Sequence, residues 1–223
     1  MILKENLKKS YEKTKRRIQE ASLRAHREET AVSLVAVSKG QSAEKIRALY
    51  DLGQRSFGES FVEELQRKAL ELRDLNIRWI FIGRLQSRKI KVVMEVAHEI
   101  QSVASVKHVR RIQECAQKMG KKNYPIFLQV NCGEEEQKSG VFFKDILTTV
   151  EEIRGCDHLE LKGLMAIPPR GLVEGEEEVP VLYQELANCV KKYGLRELSL
   201  GMSQDLEKAI LAGSSVVRVG ESL

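Results

Sequence analysis

The chain has 223 residues, of which 42% are hydrophobic, and these values suit one globular domain with a sizeable core. Its 37 Lys and Arg residues exceed its 32 Asp and Glu residues by five, but the two signs alternate along predicted helices and no basic stripe is interleaved with aromatic residues. This pattern indicates a solvated surface and argues against nucleic-acid binding, and the lack of an apolar run of about 18 residues argues against a membrane span.

Neither a secretion signal nor a metal site is predicted. The first nine residues contain lysines but no apolar segment, so we expect a cytoplasmic protein. The cysteines form no C-x-x-C pair and are predicted to be reduced, and the histidines lie near no Ser or Cys nucleophile motif. These residues are Cys115, Cys132, Cys156, Cys189, His26, His98, His108 and His158.

The predicted elements begin with a helix. From about Leu3 to His26, charged residues are broken by Leu7, Tyr11, Ile18 and Leu23, which is typical of an amphipathic helix. We expect this segment, within residues 1–28, to pack outside the main body of the protein.

After the first helix, short apolar runs alternate with helical patterns eight times. The predicted strands lie near residues 32–37, 55–57, 78–82, 99–103, 125–130, 159–165, 197–200 and 216–219. Ser42 is the predicted N-cap of the helix after the first strand, and the acidic run 174–178 is predicted to be a loop after the sixth. Eight such units without linkers favour a single-domain (β/α)₈ barrel over residues 1–223.

The residues capable of chemistry lie at the C-terminal ends of the predicted strands, where such barrels carry their sites. They are Lys39, Glu59, Gly83, Ser102, Asn131, Met165, Ser203 and Gly220. Lys39 directly follows an apolar strand, where partial desolvation would favour a neutral amine that could form an imine with an aldehyde cofactor. From position alone, Lys39 could equally be a solvent-exposed strand cap.

An anion site is predicted beside Lys39. The segment 201–205 opens the last predicted helix, whose free N–H groups attract anions, and Gly220 would let the main chain approach a phosphate closely. Taken singly, Ser203 could be an N-cap, Gly220 a plain turn, and Arg218 part of a buried ion pair.

Ordered motifs along nearly the whole chain resemble the pyridoxal phosphate homeostasis proteins, whose fold is similar to the N-terminal barrel domain of alanine racemase. The motifs are A-V-S-K at 36–39, F-G-E at 57–59, F-I-G-x-L-Q at 81–86, I-Q-S-V at 100–103, Q-V-N at 129–131, K-S-G at 138–140, G-L-M-A-I-P-P at 163–169, L-S-x-G-M-S-x-D-L-E at 198–207 and V-R-V-G at 217–220.

The resemblance implies that pyridoxal 5′-phosphate (PLP) is held as a Schiff base on Lys39. It further implies a phosphate cradle at Met202, Ser203 and Gly220, with Arg218 facing the pyridine nitrogen. Since a guanidinium is always protonated and cannot accept a proton from the ring, the ring nitrogen would stay neutral and serve poorly as an electron sink, and strong amino-acid chemistry is disfavoured. Three further residues are predicted near the cofactor: Asn131, Met165 and Glu221.

Four positions depart from the family pattern, and they are Ser60, Ile80, Arg88 and Glu221. Glu221 replaces a Thr or Ser beside the phosphate, and the chain ends at Leu223 before the family's usual Phe-Gly. The first hypothesis is a monomeric PLP carrier without strong turnover, whose partners are PLP and PLP-dependent apo-enzymes or amino acids. The alternatives are a weak racemase or lyase acting on amino acids, and a barrel that has lost the cofactor and acts through protein partners.

Overall fold

A closed barrel of eight parallel strands, in the order β1 to β8, forms the body of the protein. The computed structural model describes residues 2–135, 137–169 and 178–223. The predicted (β/α)₈ architecture is confirmed, and each predicted strand lies within two residues of an observed one. The strands are β1 Ser33–Val37, β2 Ser56–Glu59, β3 Arg78–Phe81, β4 Glu99–Val103, β5 Tyr124–Val130, β6 Leu159–Ala166, β7 Glu197–Ser199 and β8 Val216–Val219.

Helices surround the barrel because each of the strands β1 to β7 is followed by a segment with an apolar stripe that packs on it, and α1 precedes β1. The helices are α1 Ile2–Arg24, α2 Ala43–Asp51, α3 Val62–Glu71, α4 Ile90–Val96, α5 Val106–Lys118, α6 Ile146–Arg154, α7 Val181–Lys192 and α8 Leu206–Ala212. Short 3₁₀ turns at Ser87–Lys89 and Phe143–Asp145 precede α4 and α6. As predicted, Ser42 caps α2, and its side chain accepts a hydrogen bond from the Lys45 N–H at 3.3 Å.

The N-terminal helix α1 packs outside the barrel against α8 and α2, as predicted. Its buried face carries Tyr11 and Ile18, but Leu23, which we had placed on this face, is 56% exposed. Arg17 joins the helix to α8 through an ion pair with Glu207 at 2.6 Å.

Two separate cores follow from the alternation of side chains along each strand. A large core lies between the strands and the helices. A small one fills the barrel interior and is built from Val35, Ile80, Phe127, Met165 and Val216. The interior is therefore packed rather than hollow, and a ligand has room only at its ends.

Three further predictions from the sequence concern membrane spans, the cysteines and the acidic run. Among the described residues, no helix has both the length and the apolar character needed to cross a membrane. The four cysteines are free thiols. Most of the acidic run, residues 174–177, lies outside the described residues.

Candidate functional site

The turn after β1 carries Lys39, whose side chain is exposed and makes no hydrogen bond or ion pair with the described part of the chain. Our expectation of partial desolvation is therefore wrong. Lys39 lies just beyond β1, whose Val35 faces the barrel interior, in a turn that the Gln41 N–H closes by donating to the Ser38 carbonyl at 2.9 Å. The turn itself is tight, with Gly40 at a φ of +70°.

A buried cluster underlies this turn. Glu59, at the end of β2, accepts hydrogen bonds from the Ser38 hydroxyl at 2.7 Å and the Lys68 ammonium at 2.8 Å. Burial raises the pKa of Glu59, and the hydrogen bonds from Lys68 and Ser38 oppose that shift. The cationic partner of Glu59 is Lys68, which lies on α3 and had not been singled out from the sequence.

The spacing along α3 could have drawn attention to Lys68. Val62, Leu65 and Lys68 are the buried residues of this helix, at three-residue intervals. A lysine on the apolar face of a short helix needs a buried partner.

The turn after β7 is held by its own residues and by α7. Gly201 has a φ of +99°, and a Cβ there would lie 2.6 Å from the Ala209 Cβ, so only glycine fits. Asp205 accepts hydrogen bonds from the Met202 N–H at 2.7 Å and from the Tyr183 hydroxyl. Asp205 rather than Ser203 occupies the N-cap position of α8, a helix of seven residues.

The end of β8 approaches the end of β1 closely. A Cβ on Gly220 would lie 3.0 Å from both the Cβ and the carbonyl oxygen of Val37. Glu221 is exposed, whereas the Ser222 Oγ is buried and has no hydrogen-bond partner among the described residues. A buried hydroxyl without a partner is a candidate ligand-binding group.

Arg218 is buried within β8 and is held by neutral groups. Its Nη1 donates to the carbonyl and hydroxyl oxygens of Ser199 at 2.8 and 2.6 Å, and its Nη2 donates to the Ala166 carbonyl at 2.8 Å. Burial lowers the pKa of Arg218 to about 10, so the guanidinium is charged at neutral pH. The side chain forms no ion pair with the described residues, contrary to the alternative of a buried pair.

Hydrogen bonds continue from Arg218 through the barrel interior. The Ser199 hydroxyl donates to the Gln101 Oε1 at 2.7 Å, and the Gln101 Nε2 donates to the Glu99 Oε1 at 2.7 Å. Arg78, at the other end of the chain of contacts, donates to the Glu99 Oε2 at 2.6 Å. The orientation of Arg218 is thus fixed by residues of β3, β4 and β7.

The predicted residues fall into two groups. Lys39, the 201–203 turn, Arg218 and Gly220 come together, because β7, β8 and β1 are neighbours and the Arg218 N–H donates to the Gly201 carbonyl at 2.9 Å. Asn131 instead braces its own loop, donating to the Glu135 carbonyl at 2.8 Å. Met165 is fully buried in the barrel interior.

The departures at Ser60, Ile80 and Arg88 also have defined surroundings. Ile80 packs in the barrel interior, and the exposed Arg88 donates to the Gln86 side chain at 3.2 Å. The Ser60 carbonyl lies against Gly83, where a Cβ would be only 1.9 Å from its oxygen. None of these contacts involves Lys39, Arg218 or Gly220.

The chain is similar to known proteins over most of its length. The family model for the alanine racemase N-terminal domain matches residues 11–223. The pyridoxal phosphate homeostasis protein of Pasteurella multocida is 36% identical over 213 residues, which cover 92% of this chain and 91% of that protein. The chain belongs to the pyridoxal phosphate homeostasis protein family. Its human relative of the same name is 34% identical, over 93% of this chain and 82% of that one.

Solved structures place this homeostasis-protein barrel in the same fold. PipY of Synechococcus elongatus, solved with PLP bound, has a TM-score of 0.78 and 32% identity, covering 92% of this chain and 97% of PipY. Alanine racemase of Corynebacterium glutamicum has a TM-score of 0.71 at 13% identity, covering 98% of this chain and 60% of that one. The second similarity shows the fold alone.

Proposed function

We propose that this protein binds PLP and serves intracellular PLP homeostasis, with the aldehyde held reversibly by Lys39. The observation that carries the proposal is that an exposed lysine without a partner among the described residues follows β1, while the neighbouring β8 ends in Gly220 and a buried, unpartnered Ser222 hydroxyl. Family membership and the PLP-bound PipY relative give the ligand its identity.

The residues present fit this group. Lys39 offers an amine without a partner among the described residues, the Ser222 hydroxyl has an unused hydrogen-bonding capacity, and Gly220 lets the end of β8 approach the end of β1 closely. Glu221, whose carboxylate would repel a phosphate, is exposed and has room to point away. We assign Met202 and Ser203 to the neighbouring wall of the cradle, and Asn131 and Met165 to more remote support.

PLP supplies an aldehyde that bonds to an amine and a ring that can withdraw electrons. The chain's own residues favour the first property over the second. Arg218 is protonated at neutral pH and has no acceptor, so it cannot hold a proton on a ring nitrogen that faces it. A ring nitrogen facing it would remain neutral, and the protein would therefore carry PLP without strong turnover of amino acids.

A cytoplasmic, monomeric carrier that delivers PLP to apo-enzymes is part of this proposal. Slow racemisation or cleavage of amino acids is the alternative, but similarity to alanine racemase supports it only through the fold. Arg218 argues against such turnover, because a ring nitrogen that faces it would remain neutral.

Borohydride reduction of the PLP-loaded protein, followed by peptide mass mapping, tests the proposal. We expect one phosphopyridoxyl adduct, located on Lys39 and absent from Lys39→Ala. The matched control is Lys91→Ala, which removes an exposed lysine of α4 and should keep the adduct. An adduct spread over surface lysines, or one that persists in Lys39→Ala, would overturn the assignment.

A further inference from the structure

The Lys68 ammonium is enclosed beneath the turn that carries Lys39. Its side chain is 0% exposed and reaches three oxygens: the Ser38 carbonyl at 2.6 Å, Glu59 Oε1 at 2.8 Å and Glu64 Oε2 at 2.6 Å. Such contacts to a charged group are short and strong. They join β1, β2 and α3 at one point.

The contacts fall on both neighbours of Lys39. The carbonyl of Ser38, on its N-terminal side, binds the ammonium directly. The N–H of Gly40, on its C-terminal side, donates at 2.8 Å to Glu64 Oε2, the same oxygen that Lys68 contacts. One buried cation therefore restrains the main chain before and after Lys39.

The restraint comes from the helix side of the barrel wall. Ser38 and Glu59 follow the outward-facing Ala36 and Phe57, which pack in the core between strands and helices. The Gln41 N–H also donates to the Ser38 carbonyl at 2.9 Å and closes the turn that contains Lys39. The turn is therefore fixed through its main chain, and the exposed Lys39 side chain makes no hydrogen bond or ion pair with the described residues.

Stability alone does not account for the cluster. Burying a charged pair is expensive, and replacing one with apolar residues of similar volume is often neutral or stabilising. Here the Glu59 Oε2 is also buried with no hydrogen-bond partner among the described residues. Fixing one geometry is the best-attested use of buried ionic groups.

We propose that Lys68, acting through Glu64 and the Ser38 carbonyl, is a positioning residue that holds the Lys39 amine where it meets the aldehyde of PLP. The inference rests on the proposed function. It adds that the strength of the bond to Lys39 depends on residues that do not touch the cofactor.

The test compares two ligands, PLP and pyridoxine 5′-phosphate, which lacks the aldehyde. Glu64→Ala removes the hold on Gly40 and one of the three oxygens that Lys68 contacts, and Lys68→Met removes the cation while keeping the side-chain length. Glu63→Ala is the matched control, because Glu63 is on the same helix turn, is 71% exposed and pairs with Lys89 instead. Affinities are measured by fluorescence titration, and folding by thermal unfolding.

We expect PLP to bind about tenfold more weakly to both variants, on the order of one lost hydrogen bond to a charged group. Pyridoxine phosphate should bind as it does to the unaltered protein, since it does not use Lys39. Equal weakening of both ligands, or no change in either, would overturn the inference. If Lys68→Met fails to fold, Glu64→Ala decides by the same criteria.

The outcome for the unaltered protein separates this inference from the proposed function. Failure to trap PLP on Lys39 in that protein would sink the function itself. Trapping on Lys39 with unchanged PLP affinity in Glu64→Ala would sink only the positioning role of Lys68.

Discussion

At the scale of single residues, the segment after β8 carries its buried hydroxyl on Ser222 and not on the preceding position, which is Glu221. Glu221 stands where the family has Thr or Ser and is exposed, while the next residue, Ser222, buries a hydroxyl that lacks a partner in the described structure. Gly220 brings both beside the end of β1. The hydroxyl needed by a phosphate is thus available one position later in the chain.

We predict that Ser222→Ala weakens PLP binding about fivefold to tenfold, because a neutral hydroxyl bound to a phosphate contributes about 1 kcal/mol or slightly more. The measurement is a PLP titration followed by absorbance. Glu221→Gln, at the exposed neighbouring position, should change affinity less than about twofold. The reverse ranking of the two variants would show that Glu221, and not Ser222, faces the phosphate.

At the scale of elements, α1 is more than a cover for the barrel. Arg17 pairs with Glu207 through two hydrogen bonds of 2.6 and 2.8 Å, and its Nη2 also donates to the Ser203 carbonyl at 3.0 Å. Burial acts to raise the pKa of Glu207, but the hydrogen bonds from Arg17 and the backbone outweigh it and the pKa is lowered. The helix therefore braces the turn that we assign to the cradle.

Arg17→Ala should lower the free energy of unfolding by about 1–2 kcal/mol, the range expected for a two-pronged and partly buried arginine pair. It should also weaken PLP binding, because the Ser203 carbonyl loses its donor. Urea unfolding and PLP titration measure the two effects. Arg16→Ala, one residue earlier and exposed, is the control, and equal behaviour of the two variants would refute a bracing role for α1.

At the scale of the whole molecule, local patterns in the sequence were sufficient for the fold. Strand and helix periodicity depends on neighbouring residues, so all eight strands and the outer helix α1 were predictable. The contacts of the site were less accessible, because they join distant segments. Ser199 and Gln101 are 98 residues apart, and Arg17 and Glu207 are 190 apart. Their pairing is decided only when the barrel closes.

Predictions about the site were limited in the same way, because only its local features can be read from neighbouring residues. Lys39 and Gly220 could be placed at the correct end of the barrel because each directly follows a recognisable strand. The exposure of Lys39 and the buried position of Lys68 could not be predicted in this way, since both depend on how α3 packs over β1 and β2. Asn131 was placed correctly along the chain, yet its amide is occupied by its own loop.

The stability of the whole fold should depend on pH, because two histidines have a lowered pKa. The His108 Nδ1 accepts a hydrogen bond from the Ala104 N–H at 3.4 Å, and burial followed by the charge of Lys107 lowers the pKa of His108. Burial and the charges of Arg78 and Lys121 likewise lower the pKa of His98. Because His98 is exposed, it contributes less than His108 to the pH dependence of the free energy of unfolding.

The sign of the effect follows from proton linkage. Below the ordinary histidine value of 6.5, the unfolded chain takes up protons that the folded chain does not, so stability present above pH 6.5 is lost as the pH falls. Carboxylates with a lowered pKa, such as Glu64, add a further loss only below their ordinary value of 4.5. Between these two values the histidines destabilise the fold as the pH falls, whereas Glu59, whose pKa burial raises, acts in the opposite direction. The histidine contribution is therefore measured by comparing variants that lack a single histidine.

We predict that the free energy of unfolding falls by about 0.5–1 kcal/mol between about pH 7 and pH 5, a discounted value for partly exposed rings. Urea unfolding across this range measures it. His108→Gln should flatten the slope, since glutamine can still accept from the Ala104 N–H but cannot take up a proton. His26→Gln, at an exposed position after α1, should leave the slope unchanged. If both variants retain the slope, the acid sensitivity originates outside His108.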